Sequence, residues 1–319
     1  MQRQLDPYTE FSRPKRELGK LRTIASPSPV LMDVQRWLLS NIFERIHPHR
    51  ASYAYQPGRS AVQCAKRHLG ATWLLKFDLH DFFHCVDERA AYRILQAAGY
   101  NRLISFEIAR ICTRLPGGEM RPLSGFKYPT IDSYAGRAPG FLPQGAPTSG
   151  AIANLAAHAL DDRLWEVAYR YDLVYTRYAD DMTFSTLRRF DRATVTRCVA
   201  DITKAVHQSH FRVHRKKTRI VPPGARKVVL GLLVDGDRLR IPVPARRRLE
   251  GHIRGAATFG IAAHVEHARY SSLGGFVRHI DGQLRYAQGV DRAWAGQLTE
   301  RWEAVLRKQG ITKLDRELW

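Results

Sequence analysis

The feature that most limits how this chain can fold is a pair of β-type runs joined by almost nothing. Leu173-Val174-Tyr175-Thr176-Arg177-Tyr178 and Met182-Thr183-Phe184-Ser185 flank Ala179-Asp180-Asp181. So short a connection forces an antiparallel hairpin with acids at its tip. Trp73-Leu74-Leu75-Lys76-Phe77 reads as a buried strand that delivers Asp78, about one hundred residues earlier. Adjacent acids at a turn are usually solvated turn formers. A third acid ending a strand could join them, and three such carboxylates would repel one another without a cation. Phosphodiester synthesis needs two divalent cations, one to activate a hydroxyl and one to hold a triphosphate and its leaving pyrophosphate. Magnesium takes a few carboxylates together with phosphate oxygens and water. Asp78, Asp180 and Asp181 are the acids that could meet that need, and the motifs around them, rather than the acids alone, displace the turn-former reading.

The rest of the chain supplies elements around these strands. Ser28 and Pro29 open an apolar helical pattern through Val30, Leu31, Val34, Trp37, Leu38, Ile42 and Phe43. Residues 12–26 before it are basic and turn-prone. A loop at Tyr55-Gln56-Pro57-Gly58-Arg59-Ser60 precedes a helix near 61–69. Asp87 caps a helix that ends at Gly99. Residues 115–142 read as a glycine- and proline-rich loop with one short hairpin, and Ser149 to Tyr171 as one helix. A helix over 192–209 packs across the acidic hairpin. Val228 to Val234 and Arg238 to Ile241 flank Asp235-Gly236, a hairpin signal, and a basic helical region runs over 244–319. The order is α+β, an antiparallel sheet with helices on one face.

Charge indicates the partner. The 319 residues carry 51 Lys and Arg against 30 Asp and Glu, a net +21 that favours a polyanion. Basic residues gather in the last third, at Arg215-Lys216-Lys217 and Arg246-Arg247-Arg248, then Arg254, Arg278 and Arg285. Helical spacing puts Arg247 and Arg254 on one face, where they could track duplex phosphates. No run approaches the ~20 apolar residues of a membrane helix, and the start has no signal-peptide core. Cys64, Cys85, Cys112 and Cys198 form no CxxC pair, which fits reduced packing thiols in a cytoplasmic protein. His80, His84 and His158 show no second-ligand pattern, and Asp161 and Asp162 read as solvated.

Three boxes in order carry a resemblance. Phe77-Asp78-Leu79-His80-Asp81-Phe82-Phe83, Leu142-Pro143-Gln144-Gly145 and Tyr178-Ala179-Asp180-Asp181 resemble the first palm motif, the LPQG box and the YxDD box of reverse transcriptases. Gly19 to Ile24, Tyr55 to Ser60, Lys227 to Gly231 and Gly274 to Gly282 look like the opening, second block, primer grip and thumb of bacterial retron enzymes. The resemblance implies a right-hand polymerase: fingers over residues 1–70, a palm strand over 71–84, further fingers and palm helices with a loop insertion over 85–140, palm over 141–243 and a short helical thumb over 244–319. It also implies RNA-directed DNA synthesis with two Mg2+ ions on Asp78, Asp180, Asp181 and the Leu79 carbonyl.

Other roles follow the same resemblance. Phe83 stands at the family's sugar gate, where a bulky ring would clash with a 2′ hydroxyl; of Phe82 and Phe83, one belongs to the core. Gln144, Lys20 and Arg22 match positions that meet the incoming nucleotide. Arg59, Arg215, Lys216, Lys217, Arg246, Arg247, Arg254 and Arg278 are the candidate nucleic-acid contacts, for an A-like duplex read by shape. About 75 residues follow Pro244, enough for a thumb and little else, which is similar to retron enzymes. Those copy part of a dedicated structured RNA into single-stranded DNA, take deoxynucleoside triphosphates, and act in antiphage defence with an effector protein. Where they commonly show Val-Thr-Gly, this chain has Val229-Leu230-Gly231. Another defence-associated reverse transcriptase, or an RNA-binding scaffold with incidental synthesis, stays open as an alternative.

Overall fold

A computed structural model describes residues 6–14, 21–115, 120–122, 129–131, 139–312 and 315–316. The chain divides into two units, Met1–Cys64 with Trp73–Pro222 and Ala65–Thr72 with Pro223–Trp319.

The first unit opens with β1 (Tyr8–Pro14) paired antiparallel to β2 (Leu21–Pro27), Tyr8 opposite Pro27. Basic, proline-bearing sequence made this stretch read as turn. Its prolines fall at strand ends, where a missing N–H does not break the ladder. α1 (Pro29–Asn41) starts as expected, with the Ser28 hydroxyl accepting from the Leu31 amide at 3.4 Å. α2 (Ala61–Lys66) then carries the chain from the first unit into the second.

β3 (Trp73–Asp78) returns to the first unit with Leu74, Leu75 and Phe77 buried, the continuous apolar run of a central strand. α3 (Glu88–Ala97) is capped by Asp87, whose carboxylate accepts from the Ala90 amide at 2.9 Å. α4 (Arg102–Cys112) follows, a helix the sequence reading passed over although Asn101 caps it. β4 (Met120–Pro122) and β5 (Pro129–Ile131) form the short hairpin expected within 115–142. The single helix expected over Ser149 to Tyr171 is two, α5 (Ser149–Ala156) and α6 (His158–Arg170), interrupted at Ala157 where ψ is 5°. No proline or glycine marks that break in the sequence.

β6 (Val174–Tyr178) and β7 (Asp181–Thr186) make the acidic hairpin, α7 (Arg192–Gln208) follows, and β8 (Arg219–Val221) completes a four-stranded antiparallel sheet in the order β6-β7-β3-β8. The core beneath joins Phe77, Met182 and Phe184 of the sheet to Ile152, Leu160, Leu164, Cys198 and Ile202 of the helices.

In the second unit β9 (Val228–Val229) pairs with β10 (Leu232–Leu233). Their turn is Leu230-Gly231, both at positive φ (48° and 85°), inside the run Val228 to Val234 that the sequence suggested as one strand; the reversal expected at Asp235-Gly236 follows it, with Leu233 paired antiparallel to Arg240. Two positive φ values suit a tight two-residue hairpin turn. Asp235 pairs with Arg240 within that second reversal. Helices α8 (Val243–Phe259), α9 (Ile261–His267), α10 (Leu273–Gln288) and α11 (Arg292–Lys308) enclose Leu249, Ile253, Phe276, Ile280 and Trp302. Among the described residues no helix is long and apolar enough to cross a membrane.

Candidate active site

Two of the three acids meet because of strand register, and the third stands in the adjoining tip. Asp78 ends β3 directly opposite Asp181, the first residue of β7, and Tyr178 faces Asp181 across the hairpin. Ala179 and Asp180 are left as a two-residue tip. Directly opposed residues project to the same face of a sheet, so Asp78 and Asp181 share one. The Leu79 amide donates to the Asp180 carbonyl at 3.0 Å, tying the tip to the end of β3. Burial, and after it the neighbouring charge of Asp78, raises the Asp180 carboxyl above its ordinary pKa.

Two lysines attend the cluster. Lys217 Nζ lies 2.9 and 3.1 Å from the Asp78 carboxylate oxygens, and Lys76 Nζ lies 3.2 Å from Asp181. Lys76 is two residues before Asp78, so strand alternation puts both on one face. Among the described residues no three carboxylate, imidazole or thiolate side chains converge into a ready-made metal cage. Mutually repelling carboxylates that already draw ammonium groups nonetheless fit magnesium, which completes its shell with water and phosphate oxygens.

The hairpin is held from beneath by a network the sequence reading missed, and Asp161, read there as solvated, is its centre. The Asp161 and Arg177 side chains are both fully buried. Arg177 Nε and Nη2 donate to the two Asp161 oxygens at 2.8 and 2.6 Å, and the Tyr175 hydroxyl donates to the first at 2.7 Å. Arg177 Nη1 donates to Asn154 Oδ1 at 2.9 Å and to the Ala179 carbonyl, in the tip itself, at 3.1 Å. Burial works against the guanidinium charge, but the Asp161 carboxylate more than offsets it and holds the Arg177 pKa above its usual range. Ala179 at φ 57° is thereby fixed in a conformation that L-residues adopt at a cost. Nothing in the spacing of Asn154, Asp161, Tyr175 and Arg177 signals that they meet.

Around the carboxylates, Phe82 is buried and Phe83 half-buried, its ring 5.6 Å from that of Phe82. Tyr55, not singled out for this site from the sequence, stands 6.0 Å from Phe83 ring to ring. Its hydroxyl is pushed up by burial and then by Asp180, and its pKa is lowered in turn by the charge of Arg22. Arg22, exposed on β2, is near enough for its charge to act on Tyr55. Gln144 is half-buried, and its carbonyl accepts from the Ala25 amide of β2 at 2.8 Å. A Cβ on Gly145 would lie 2.7 Å from Ile24 Cγ2 and 2.8 Å from the Ala25 carbonyl oxygen, so the loop closes on β2 only with glycine there. Asp81 at φ 48° pairs with His80, and its carbonyl accepts from the Cys85 amide. Lys20 lies outside the described residues.

The basic residues divide. Lys217 sits on Asp78, whereas Arg215 and Lys216 are exposed. Arg59 donates to the carbonyls of Arg50 and Ser52 at 2.6 and 2.9 Å and so ties its own loop. Arg246 pairs with Asp291 and lies over the Trp294 ring. Arg247, Arg254 and Arg278 are exposed on the helical unit.

Residues 13–232 match the family model described as reverse transcriptase (RNA-dependent DNA polymerase). The chain is 37% identical over 309 residues to the retron Mx162 reverse transcriptase of Myxococcus xanthus, covering 92% of this chain and 60% of that protein. It is 31% identical over 296 residues to the retron Mx65 reverse transcriptase of the same organism, covering 92% and 64%. With the retron Ec86 reverse transcriptase of Escherichia coli it shares 29% over 297 residues, covering 93% and 80%. The chain therefore spans less than two thirds of the length of the two Myxococcus relatives. Telomerases of Candida albicans and Candida tropicalis, each solved with a TWJ fragment of telomeric RNA, superpose with a TM-score of 0.51 at 13% and 12% identity. They cover 95% and 97% of this chain and 55% and 56% of theirs. That likeness shows the fold, the α+β architecture of right-hand polymerases.

Proposed function

The chain belongs to the reverse transcriptase (RNA-dependent DNA polymerase) family, and from that premise we propose that it copies part of a dedicated structured RNA into single-stranded DNA in the cytoplasm. The observation that carries this reading is Asp78 opposite Asp181, with Asp180 at the adjoining tip and Phe83 and Gln144 in the same unit. Asp78, Asp180 and Asp181, with the Leu79 carbonyl, are the groups that would hold two Mg2+ ions; the ions supply an activated primer hydroxyl and a neutralised triphosphate. Phe83 excludes a 2′ hydroxyl, and Gln144, Arg22 and Lys20 orient the deoxynucleoside triphosphate. Arg215, Lys216, Arg247, Arg254 and Arg278 follow the phosphates of the template–product duplex. Residues 1–70 serve as fingers, 71–84 and 141–243 as palm around the segment 85–140, and 244–319 as thumb. Similarity to retron enzymes over 92% of the chain supports an antiphage role with an effector protein.

The test is synthesis by the purified protein on RNA co-purified from its native locus. The parent should extend deoxynucleotides into a short defined DNA joined to one RNA. Asp180→Ala with Asp181→Ala should abolish extension and retain the RNA. Extension that survives that double change, or bound RNA with no DNA product from the parent, would overturn the proposal.

A further inference from the structure

Tyr55 combines four properties that a loop residue seldom has together. Its backbone adopts φ 54°, a conformation that disfavours any side chain. The residue is 53% exposed. The ring face lies on Gly150, where an added Cβ would come within 2.5 Å of Cγ, 2.7 Å of Cδ1 and 2.9 Å of Cδ2. The ring also meets Phe83, centroids 6.0 Å apart at 62°, the edge-on arrangement aromatic pairs favour. If only the backbone turn mattered here, glycine would serve at lower conformational cost. A strained, half-exposed tyrosine wedged between a glycine and a second aromatic ring indicates that the ring itself is what the position retains.

Phe83 has contacts of another kind on its other side. The Phe82 ring, 5.6 Å away, is itself buried and packs on Phe211 at 5.8 Å. Phe83 is thus held between a fixed core ring and Tyr55. The core ring stays with the fold, whereas Tyr55 occupies an open side. A gate discriminates by steric clash only if it cannot swing away, so the side chain closing the open side sets the strength of the clash.

We propose that Tyr55 is a specificity-determining positioning residue, which holds Phe83 against the sugar of the incoming nucleotide and so enforces selection of deoxynucleotides. This rests on the reading of Phe83 as the sugar gate. Gly150 belongs to the same device, because it is the floor on which the Tyr55 ring sits.

The experiment compares kcat/KM for deoxynucleoside and ribonucleoside triphosphates in the full chain, on the same primed RNA template. Tyr55→Ala should lower the deoxy-to-ribo ratio by about tenfold, the order expected when one packing constraint in a specificity pocket is removed. Most of the change should lie in a lower ribonucleotide KM. Tyr55→Phe, which keeps the ring, should retain the parental ratio. Gly150→Ala leaves Tyr55 in the sequence but displaces its ring, and should lower the ratio in the same direction. Alanine is the better helix former but its Cβ crowds the Tyr55 ring, so the melting temperature of Gly150→Ala is measured beside the ratio, and a parental value separates lost selectivity from unfolding. Phe83→Ala separates the two layers of the argument. A collapsed ratio in Phe83→Ala with an unchanged ratio in Tyr55→Ala and Gly150→Ala would overturn the role of Tyr55 alone. An unchanged ratio in Phe83→Ala as well would remove the gate and this inference with it.

Discussion

Removing Asp161 should destabilise the protein far more than removing an ion pair of equal length at the surface. Asp161 is the acceptor for Arg177 Nε, Arg177 Nη2 and the Tyr175 hydroxyl, at 2.8, 2.6 and 2.7 Å. Neither charged side chain has any exposure, so Asp161→Ala strands a guanidinium where water cannot solvate it. Breaking a buried pair from one side costs about 3–5 kcal/mol, a large part of the ~5–15 kcal/mol by which a typical domain is stable. Arg188 and Asp172 are also 2.6 Å apart, but 69% and 65% exposed; Arg188→Ala should cost at most ~1 kcal/mol. Urea unfolding of the parent and both variants, read as midpoint and slope, measures the contrast. Asp161→Leu combined with Arg177→Met should recover much of the loss, since it removes both charges and fills the space. The reasoning is refuted if Asp161→Ala costs no more than Arg188→Ala. It is equally refuted if the double change is worse than the sum of its parts. Synthesis should fall along with stability in Asp161→Ala, because Arg177 also holds the Ala179 carbonyl of the acidic tip.

Two further outcomes follow from the geometry. Gly145→Ala places a Cβ against Ile24 and the Ala25 carbonyl at a φ of 123°, so it should destabilise by about 1–3 kcal/mol and raise the KM for deoxynucleotides; an unchanged KM would detach the Gln144 loop from nucleotide binding. In the helical unit His252 Nδ1 lies 3.0 Å from His264 Nε2, and burial first, then neighbouring histidines, lowers both pKa values from 6.5. A depressed folded-state pKa contributes stability above the unfolded value and loses it as pH falls through the folded one. Melting temperature should therefore drop as pH goes below 6.5, and His264→Gln should flatten that slope; a parental slope in the variant would exclude the pair as its source.

The sequence by itself determined the family and the elements that bear its three boxes. Alternating and continuous apolar runs marked β3, β6 and β7, and a connection of three residues left no topology but a hairpin with Asp180 and Asp181 at its end. Ser28, Asp87 and Gly99 punctuated their helices because capping is a local hydrogen bond between near neighbours. The three boxes in order made the family legible before any coordinate. What depends on distant partners was not. β1 and β2 form because they pair with one another, against a local composition that reads as turn. The turn at Leu230-Gly231, added to the reversal at Asp235-Gly236, forms although leucine is a poor residue for positive φ, so the pairing around it decides. Only the tertiary structure decided that Asp161 is buried beneath the hairpin and that Tyr55 stands beside Phe83. It alone separated Lys217, Arg59 and Arg246, each engaged with protein groups, from the exposed Arg215, Lys216, Arg247, Arg254 and Arg278. The physical reason is that periodicity and capping act within a few residues of chain. The environment of a charged or aromatic side chain is set by segments up to a hundred or more residues away, and an Asp or Arg carries no mark of which it will meet.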